Sequence, residues 1–303
     1  MSKKIVNVSI ALLFHKNKVL VGWRDATQHQ GNKAEFPGGK VEENESPIVA
    51  CRREVFEEVG VELSNLHYFD LISHEYEDLI VNLNIFQAAI KHEQLHAIQS
   101  PWQWYDRDEL TALNFPKANN MIIHRLQWMK KIKIIESTDS IPDFDSETAL
   151  YFRTEYPHQL ASWLEIHGQQ FNAPIIVNVQ VWQALSKDFR KYVDAVQFKH
   201  NQLSVIDDDC SFQTEWRGIK RIASCHDIES LNKAVELGFD AVFLSPVLET
   251  ESHPDQVALG WSTFSELSRN IHIPVFALGG MSVELMSEAI QNSAYGLAGM
   301  RNI

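Results

Sequence analysis

Alternating apolar and polar positions open the chain and predict β-strands. Residues 4–23 alternate on both sides of the polar run His15–Lys18, which predicts two strands joined by a turn. Residues 67–90, HYFDLISHEYEDLIVNLNIFQAAI, predict two further strands with a turn at Glu77 and Asp78. The first part of the chain should therefore contain a sheet.

A helix is expected between these strand pairs, from about Pro47 to Val59. Its apolar residues recur at helical spacing, at Ile48, Cys51, Val55 and Val59. Ser46 suits the N-cap, Pro47 the first helical position and Gly60 the C-terminal stop. A second helix is expected in NNMIIHRLQWMKKIKII, residues 119–135. Residues 1–135 thus predict a mixed α+β domain.

The pattern changes after residues 136–146, ESTDSIPDFDS, whose Ser, Asp and Pro content predicts a linker. In residues 147–303, short apolar runs alternate with amphipathic helical segments, which is typical of parallel strands joined by helices. Seven such strands can be counted, fewer than a complete eight-stranded barrel has. The prediction is an abridged TIM-type β/α barrel, or one that lacks its first unit.

The composition is compatible with two globular domains. The chain has 303 residues, of which 45% are hydrophobic and 22% charged. Its net charge of −13 argues against a nucleic acid polymer as partner, whereas a small phosphorylated substrate remains compatible if a metal ion supplies local positive charge.

The cysteines and the apolar runs predict the compartment. Cys51, Cys210 and Cys225 have no paired spacing, which indicates a reducing environment without disulfides. No apolar run has membrane-spanning length, and the N-terminal residues lack the pattern of a signal peptide. We expect a soluble, cytoplasmic protein with no membrane partner.

Three glutamates of the predicted helix lie on the flank of its apolar stripe. A solvated face is the ordinary explanation of such a run. However, Glu54, Glu57 and Glu58 should lie together at the edge of the core, where like charges are costly. With a carbonyl oxygen of the upstream Gly38-Gly39 turn they form a hard-oxygen site suited to Mg²⁺ or Mn²⁺.

The spacing of these residues resembles the Nudix box, G-x5-E-x7-R-E-U-x-E-E-x-G-U, where U is aliphatic. Its fixed positions are occupied here by Gly39, Glu45, Arg53, Glu54, Val55, Glu57, Glu58, Gly60 and Val61. The resemblance implies metal-dependent hydrolysis of nucleoside diphosphates linked to another moiety. It makes Arg53, Glu54, Glu57 and Glu58 catalytic candidates and adds Gly39 to the three glutamates as a metal ligand. Arg53 precedes Glu57 by one turn and is expected to hold its carboxylate, and Glu45 is expected to fix the loop.

Three further segments resemble the MutT-type 8-oxo-dGTP diphosphatases of that family. They are WRDATQH, NKAEFPGGK and NFPKAN. The resemblance implies a base pocket lined by Arg24, His29, Phe36 and Asn119, and conversion of a nucleoside triphosphate to monophosphate and pyrophosphate, a reaction that sanitises the nucleotide pool and supports DNA repair. Taken singly, Arg24 also suits a surface position, Phe36 the core and Asn119 a helix cap.

One departure from that pattern concerns the general base. Such enzymes carry a further glutamate in a loop that reads LHAIQSPWQW here, with no acid near Ala97–Gln99. The base could be one of the three helix glutamates, or Glu93 could reach the site.

The second half resembles thiamine phosphate synthase and its TenI-like relatives through ASCHD, LSPV, Thr250 and ALGGM. The resemblance implies that Gly279, Gly280 and the strand near Gly299 hold a phosphate, with Ser245 at a neighbouring strand end and a phosphorylated thiazole or pyrimidine as ligand. Two departures argue against synthase activity. Glu155 stands where the family has a lysine, and Val179 follows Asn178 where it has a metal-binding aspartate.

Three functions remain open at this point. The first is a nucleotide-sanitising pyrophosphohydrolase, the second is hydrolysis of a thiamine-pathway pyrophosphate, and the third is a phosphate-ligand sensor with impaired catalysis. His200, His226 and His253 match no zinc spacing and are expected to be structural.

Overall fold

The computed structural model describes residues 3–24, 26–27, 31–139, 141, 143–206, 212, 215–250, 256–301 and 303. The chain divides into two compact units, Met1–Gln127 and Trp128–Ile303. Among the described residues, no helix is both long enough and apolar enough to cross a lipid bilayer.

The amino-terminal unit is built on a seven-stranded sheet. Its strands are β1 (Lys4–His15), β2 (Lys18–Arg24), β3 (Lys33–Glu35), β4 (Gly38–Lys40), β5 (His67–Glu75), β6 (Leu79–Ala89) and β7 (Gln103–Asp106). Its α-helices are α1 (Pro47–Val59) and α2 (Asn120–Leu126), and 3-10 turns occupy His92–Ala97, Arg107–Ala112 and Lys117–Asn119. This unit confirms the mixed α+β prediction.

The sheet has the order β3-β2-β1-β6-β5, with β4 paired to β1 and β7 paired to β2. β1 and β6 run parallel and the other pairs are antiparallel. Alternate residues of β1 enter two separate cores, with Leu12 on the side of α2 and Leu13 on the side of α1. The sheet therefore separates an α1 side from an α2 side.

The carboxy-terminal unit contains eight strands. They are β8 (Lys131–Ile135), β9 (Thr148–Phe152), β10 (Ile175–Asn178), β11 (Ala195–Phe198), β12 (Lys220–Cys225), β13 (Ala241–Leu244), β14 (Val275–Leu278) and β15 (Gly296–Gly299). Its described helices include α3 (Pro157–His167), α4 (Val179–Ala184), α5 (Lys187–Arg190), α6 (His200–Leu203), α7 (Ile228–Glu236), α8 (Gly260–Ser268) and α9 (Met286–Gln291).

These strands close into a parallel barrel in the order β10-β11-β12-β13-β14-β15-β8-β9. Its interior is filled by side chains such as Ile132, Phe243 and Phe276, so the barrel is a packed core, and a cavity lies at the carboxyl ends of its strands. The β/α barrel prediction is confirmed.

The predicted count of seven strands was wrong, because β8 belongs to the barrel. Residues 131–135 were assigned to a helix that instead ends at Leu126. Ile132 and Ile134 point into the barrel interior, and Ile135 joins the outer core. The unit boundary consequently falls between Gln127 and Trp128 rather than in residues 136–146.

The barrel closes with eight strands, and one connection in its described part lacks a helix. The connection from β8 to β9 contains no helix among its described residues, 136–139, 141 and 143–147. The Ser- and Pro-rich segment that was predicted as a linker is therefore a strand connection inside this unit.

Candidate active site

Helix α1 presents the glutamates of the amino-terminal unit. It begins at Pro47 as predicted and ends before Gly60, whose left-handed backbone (φ +77°) lets its N–H donate to the Phe56 carbonyl oxygen at 3.1 Å. Ser46 occupies the N-cap position, although its side chain makes no capping bond. Cys51, Val55 and Val59 are buried, which leaves the glutamates beside the core.

The glycine turn packs against this helix too closely for any side chain. Gly38 has φ +145°, and a Cβ there would lie 2.2 Å from the Ser9 carbonyl oxygen. A Cβ on Gly39 would lie 2.4 Å from the carboxyl group of Glu54. The two glycines thus allow the backbone of β4 to approach a carboxylate directly.

Arg53 holds the acidic residues together. Its Nε donates to Glu45 Oε1 and its Nη2 to Glu45 Oε2, both at 3.0 Å. Its Nη1 donates to Glu54 Oε1 at 2.8 Å and to Glu57 Oε2 at 3.4 Å. Arg53 also bonds the Lys40 carbonyl oxygen at 3.2 Å. The expected contacts of Arg53 with Glu57 and of Glu45 with the loop are present, and Glu54 is an additional partner.

These bonds favour the charged forms of both partners. The guanidinium of Arg53 lowers the pKa of Glu45, and Glu45 with Glu54 raises the pKa of Arg53. Arg53 is therefore fully engaged in positioning the loop and the helix.

Glu58 has a different environment. Its Oε2 accepts a hydrogen bond from the Gly38 N–H at 2.9 Å. Desolvation, together with the nearby carboxylates of Glu35 and Glu54, raises the pKa of Glu58 to about 7, although the Gly38 N–H and Arg24 act in the opposite direction.

Glu35 is a site residue that the sequence reasoning missed. It lies opposite Gly22 in the β2–β3 register, on the α1 side of the sheet, and its Oε2 accepts from Arg24 Nε at 2.7 Å. Glu35 raises the pKa of Glu58, and Arg24 lowers it. Arg24 consequently lies on the side of the glutamates, away from the α2 side that holds Phe36.

The donor set suits a hard divalent cation in its chemistry. Glu54, Glu57 and Glu58 offer carboxylate oxygens, and the bare backbone at Gly39 adjoins Glu54. As arranged, Arg53 and the Gly38 N–H satisfy these carboxylates. No three His, Cys, Asp or Glu side chains in the described ranges converge as a metal site. Binding a cation would require Glu54 and Glu58 to turn from their present partners.

Two residues predicted for the base pocket, Phe36 and Asn119, are buried in the amino-terminal unit. Phe36 is 3% exposed and stacks on Phe115 with ring centroids 4.9 Å apart, so it is a core residue on the α2 side. Asn119 is 8% exposed, and its side chain makes no capping bond to α2, so helix capping does not explain its presence. His29 lies outside the described residues.

The segment that lacks the expected acid lies against the end of α1. Trp102 Nε1 donates to the Glu58 carbonyl oxygen at 2.9 Å, and Gln94 Nε2 donates to the Glu62 carbonyl oxygen at 2.9 Å. Glu93 is exposed, and no bond among the described residues joins it to the α1 glutamates.

A second candidate site lies at the mouth of the barrel. Here the strand ends surround a cavity of about 660 Å³. Ser245, Gly279 and Gly280 line it, as predicted from the strand ends, and their role as phosphate ligands remains a prediction. Basic side chains line it as well, namely Arg153, Lys199, His200, His226 and Arg301, whereas Glu249 is the single carboxylate in the described lining.

Both departures from a synthase have a structural counterpart. Asn178 Nδ2 donates to the Thr154 carbonyl oxygen at 2.8 Å, and its Oδ1 accepts from the Val181 N–H at 2.9 Å. The amide is thereby used to fix the start of α4, and the adjacent Val179 is buried. Glu155 is exposed.

The histidines that were expected to be structural face this cavity. His226 Nδ1 bonds the Ser245 carbonyl oxygen at 2.7 Å, and the rings of His200 and His226 lie 5.0 Å apart. His253 lies outside the described residues. Position at the ends of β11 and β12 is the signal that could have placed His200 and His226 at the mouth.

Comparison with protein families finds two matches. The model of the NUDIX domain matches residues 9–125, and the model of thiamine monophosphate synthase matches residues 158–303.

Individual relatives follow the same division. The chain is 32% identical over 127 residues to the 8-oxo-dGTP diphosphatase of Buchnera aphidicola subsp. Schizaphis graminum (strain Sg), covering 42% of this chain and 96% of that protein. It is 32% identical over 116 residues to the CTP pyrophosphohydrolase of Escherichia coli (strain K12), covering 38% of this chain and 84% of that protein. It is 42% identical over 77 residues to a putative thiamine-phosphate synthase 2 of Aquifex aeolicus (strain VF5), covering 25% of this chain and 41% of that protein. The chain thus spans less than half the length of this last relative.

Proposed function

The chain belongs to the Nudix family through its amino-terminal unit, and from this premise we propose that this unit is a metal-dependent nucleoside triphosphate pyrophosphohydrolase. The proposed substrate is 8-oxo-dGTP, which water converts to 8-oxo-dGMP and pyrophosphate. This choice of substrate is supported by the similar 8-oxo-dGTP diphosphatase, because the alignment with this chain spans 96% of that protein.

One observation carries the proposal: Arg53 binds Glu54 and Glu57 of α1, and Glu58 of the same helix accepts from Gly38 in a turn that only glycine can form. Mg²⁺ or Mn²⁺ would be held by Glu54, Glu57, Glu58 and the main chain of Gly39. When bound, the ion neutralises the polyphosphate and lowers the pKa of a water molecule. Without such a cation, the acidic cluster would repel an anionic substrate.

The protein's own groups have separate tasks in this proposal. Arg53 keeps the β4 loop and α1 together through Glu45 and Glu54. A carboxylate of the site accepts a proton from the attacking water while the water oxygen forms a bond to phosphorus. The bridging P–O bond then breaks and pyrophosphate is released. Arg24, held by Glu35, supplies positive charge on the phosphate side. Asn119 provides a donor and an acceptor for a base edge.

A thiamine-pathway pyrophosphate is the second candidate substrate. The similarity of the second unit to thiamine monophosphate synthase favours it, because fused units commonly handle related compounds. The similarity to a CTP pyrophosphohydrolase also supports a pyrimidine nucleotide as substrate.

For the second unit, we propose binding of a small phosphate ester without synthase activity or a bound metal. Basic side chains line its cavity, and Asn178 is occupied by backbone contacts. If the first unit proves inactive, the whole chain would be a ligand sensor.

A substrate panel tests these proposals. We expect kcat/KM with Mg²⁺ to be highest for 8-oxo-dGTP among 8-oxo-dGTP, dGTP, CTP, ADP-ribose and thiamine diphosphate, with loss of turnover in EDTA. Preference for thiamine diphosphate would favour the second candidate. Negligible rates throughout would contradict hydrolysis and favour the sensor.

A further inference from the structure

One side chain on the α1 side of the sheet joins the end of α1 to strand β2. Trp102 is 9% exposed and packs in the core that α1 shares with the sheet. Its indole Nε1 donates to the Glu58 carbonyl oxygen at 2.9 Å. Its six-membered ring lies against Gly22, where a Cβ would come within 2.6 Å of the ring. The indole therefore spans the space between the last turn of α1 and β2.

The bond from Trp102 gives Glu58 a partner that the helix itself does not supply. Glu58 is the last residue but one of α1, so its carbonyl group has no N–H of a following helical turn to accept. The indole N–H takes that place. Because the Glu58 carboxylate also accepts from the Gly38 N–H at 2.9 Å, Glu58 is held both at its main chain and at its side chain.

The strand on which the indole packs carries other residues of the candidate site. Gly22 pairs with Glu35 in the β2–β3 register and precedes Arg24 by two residues. Arg24 Nε donates to Glu35 at 2.7 Å. Glu35 raises the pKa of Glu58 and Arg24 lowers it, so this ion pair lies within electrostatic range of the Glu58 carboxylate. The indole thus sets how closely the last turn of α1 approaches the strand that carries the ion pair.

Filling the core does not by itself explain a tryptophan at position 102. An apolar side chain of similar volume would fill this space, whereas only a hydrogen-bond donor satisfies the Glu58 carbonyl group. Trp104 packs against the same core, and no bond among the described residues joins it to α1. The segment that precedes Trp102 bonds the chain just beyond α1 a second time, because Gln94 Nε2 donates to the Glu62 carbonyl oxygen at 2.9 Å.

We infer that Trp102 is a positioning residue for Glu58. Its N–H fixes the main chain of Glu58, and its ring fixes the approach of α1 to β2. The segment that contains Ala97–Gln99 thereby acts on the site through the end of the helix, although it carries no acid there. This inference rests on the proposed hydrolase function of the amino-terminal unit.

The first test removes the N–H and part of the ring through Trp102→Phe. At saturating Mg²⁺, we expect kcat on 8-oxo-dGTP to fall about three- to tenfold, the range for one neutral hydrogen bond, while KM stays within about twofold. Calorimetric titration of Mn²⁺ into the full chain, saturated with α,β-methylene dGTP, should show a Kd raised by a similar factor. Loss of packing alone would lower the thermal midpoint and leave the Mn²⁺ affinity unchanged.

Trp104→Phe is the matched control. It removes the same atoms from a residue that packs against the same core, with its ring beside His15 and 5.9 Å from that ring. It should leave kcat and Mn²⁺ affinity unchanged even if the thermal midpoint falls.

Gly22→Ala tests the contact from the strand side and serves if Trp102→Phe does not fold. Because a Cβ would displace the indole, this variant should reproduce the loss of kcat. The loss should be smaller in the Trp102→Phe background, since the shorter ring leaves room for the Cβ.

The outcomes separate the inference from the proposed function. Equal kcat and equal Mn²⁺ affinity in Trp102→Phe and Trp104→Phe, or additive losses in the variant that combines Gly22→Ala with Trp102→Phe, would overturn the inference and leave the hydrolase proposal standing. If the unaltered protein hydrolyses no nucleotide of the panel, the proposed function fails and the inference fails with it.

Discussion

The two candidate sites of this chain have opposite charge. In the amino-terminal unit, α1 presents Glu54, Glu57 and Glu58, and the nearby Arg53 is already bonded to Glu54 and Glu57. In the carboxy-terminal unit, basic side chains line the barrel mouth and the described lining holds a single carboxylate. Phosphate groups suit both sites only if the acidic one gains a cation.

The two sites also differ in how the fold brings their charged groups together. At the first site, Gly39 removes a side chain so that a carboxylate can meet the main chain. At the second, the charged groups come from separate strand ends around the barrel. The first arrangement is suited to metal-assisted chemistry and the second to recognition of a charged ligand.

The largest expected effect tests the acidic site. Glu57→Gln should reduce kcat on 8-oxo-dGTP by at least about a hundredfold, because a neutral amide replaces a proposed metal ligand and charge partner. Folding should persist, since the Glu57 side chain is 57% exposed and its contact with Arg53 is long.

The matched control is Glu62→Gln, an exposed glutamate just beyond the same helix. It should keep normal turnover and thermal stability. Equal activity of the two variants in Mg²⁺ would contradict the assignment of Glu57.

The next effect separates phosphate contacts from base contacts within the amino-terminal unit. Arg24→Ala should lower kcat/KM for 8-oxo-dGTP and dGTP equally, by about tenfold, because Arg24 lies on the side of the glutamates. Asn119→Ala should instead reduce the ratio of the two kcat/KM values by about tenfold.

Asn120→Ala provides the control, since this neighbouring residue is exposed. The assignment of Arg24 to the phosphates and of Asn119 to the base would be contradicted if Arg24→Ala changed the ratio of kcat/KM for 8-oxo-dGTP to that for dGTP and Asn119→Ala did not.

A smaller effect is expected at the barrel mouth. Arg153→Ala should weaken benzyl phosphate binding by about two- to fivefold, the range for one partly exposed charge, and added salt should shrink the difference. Nucleotide hydrolysis should not change. Arg269→Ala, an exposed arginine outside the cavity, serves as control, and identical binding by both variants would argue against charge recognition by Arg153.

The smallest effect concerns the helix beside His226. Asp227 caps α7 by accepting from the Ser230 N–H at 2.8 Å, and this bond lowers the pKa of Asp227. Asp227→Ala should lower the free energy of unfolding by about 1 kcal/mol at pH 7.

The pH dependence of that difference has a definite sign. Because the pKa is lower in the folded protein, the contribution is complete above the unfolded value of about 4 and is lost as pH falls through the folded value. Urea unfolding of both proteins between pH 7 and pH 3 measures it. A gap that widens towards acid pH would contradict the capping explanation.

Local patterns predicted much of this structure. Pro47 and Gly60 delimit α1 because their backbone preferences act within a few residues. The Arg53–Glu57 contact follows from one helical turn. Seven barrel strands were recognisable as short apolar runs between amphipathic helices.

The features that the sequence patterns did not predict depend on residues that are far away in the chain. Residues 131–135 follow a helical segment directly, and only closure with β15 and β9 reveals them as a strand. Glu35 joins the site because β3 pairs with β2, which brings it to Arg24 across a loop. Gln197 is hydrogen-bonded to both Tyr151 and Ser224, and these three residues come from strands that are far apart in sequence. Periodicity does not encode such registers.

Cation uptake with nucleotide present tests the central contrast most directly. Calorimetric titration of Mn²⁺ into the full chain, saturated with α,β-methylene dGTP, should show binding that disappears in the Glu54→Gln/Glu57→Gln/Glu58→Gln variant. No uptake by the unaltered protein, or the same uptake by the triple variant, would contradict a divalent cation held by the glutamates of α1.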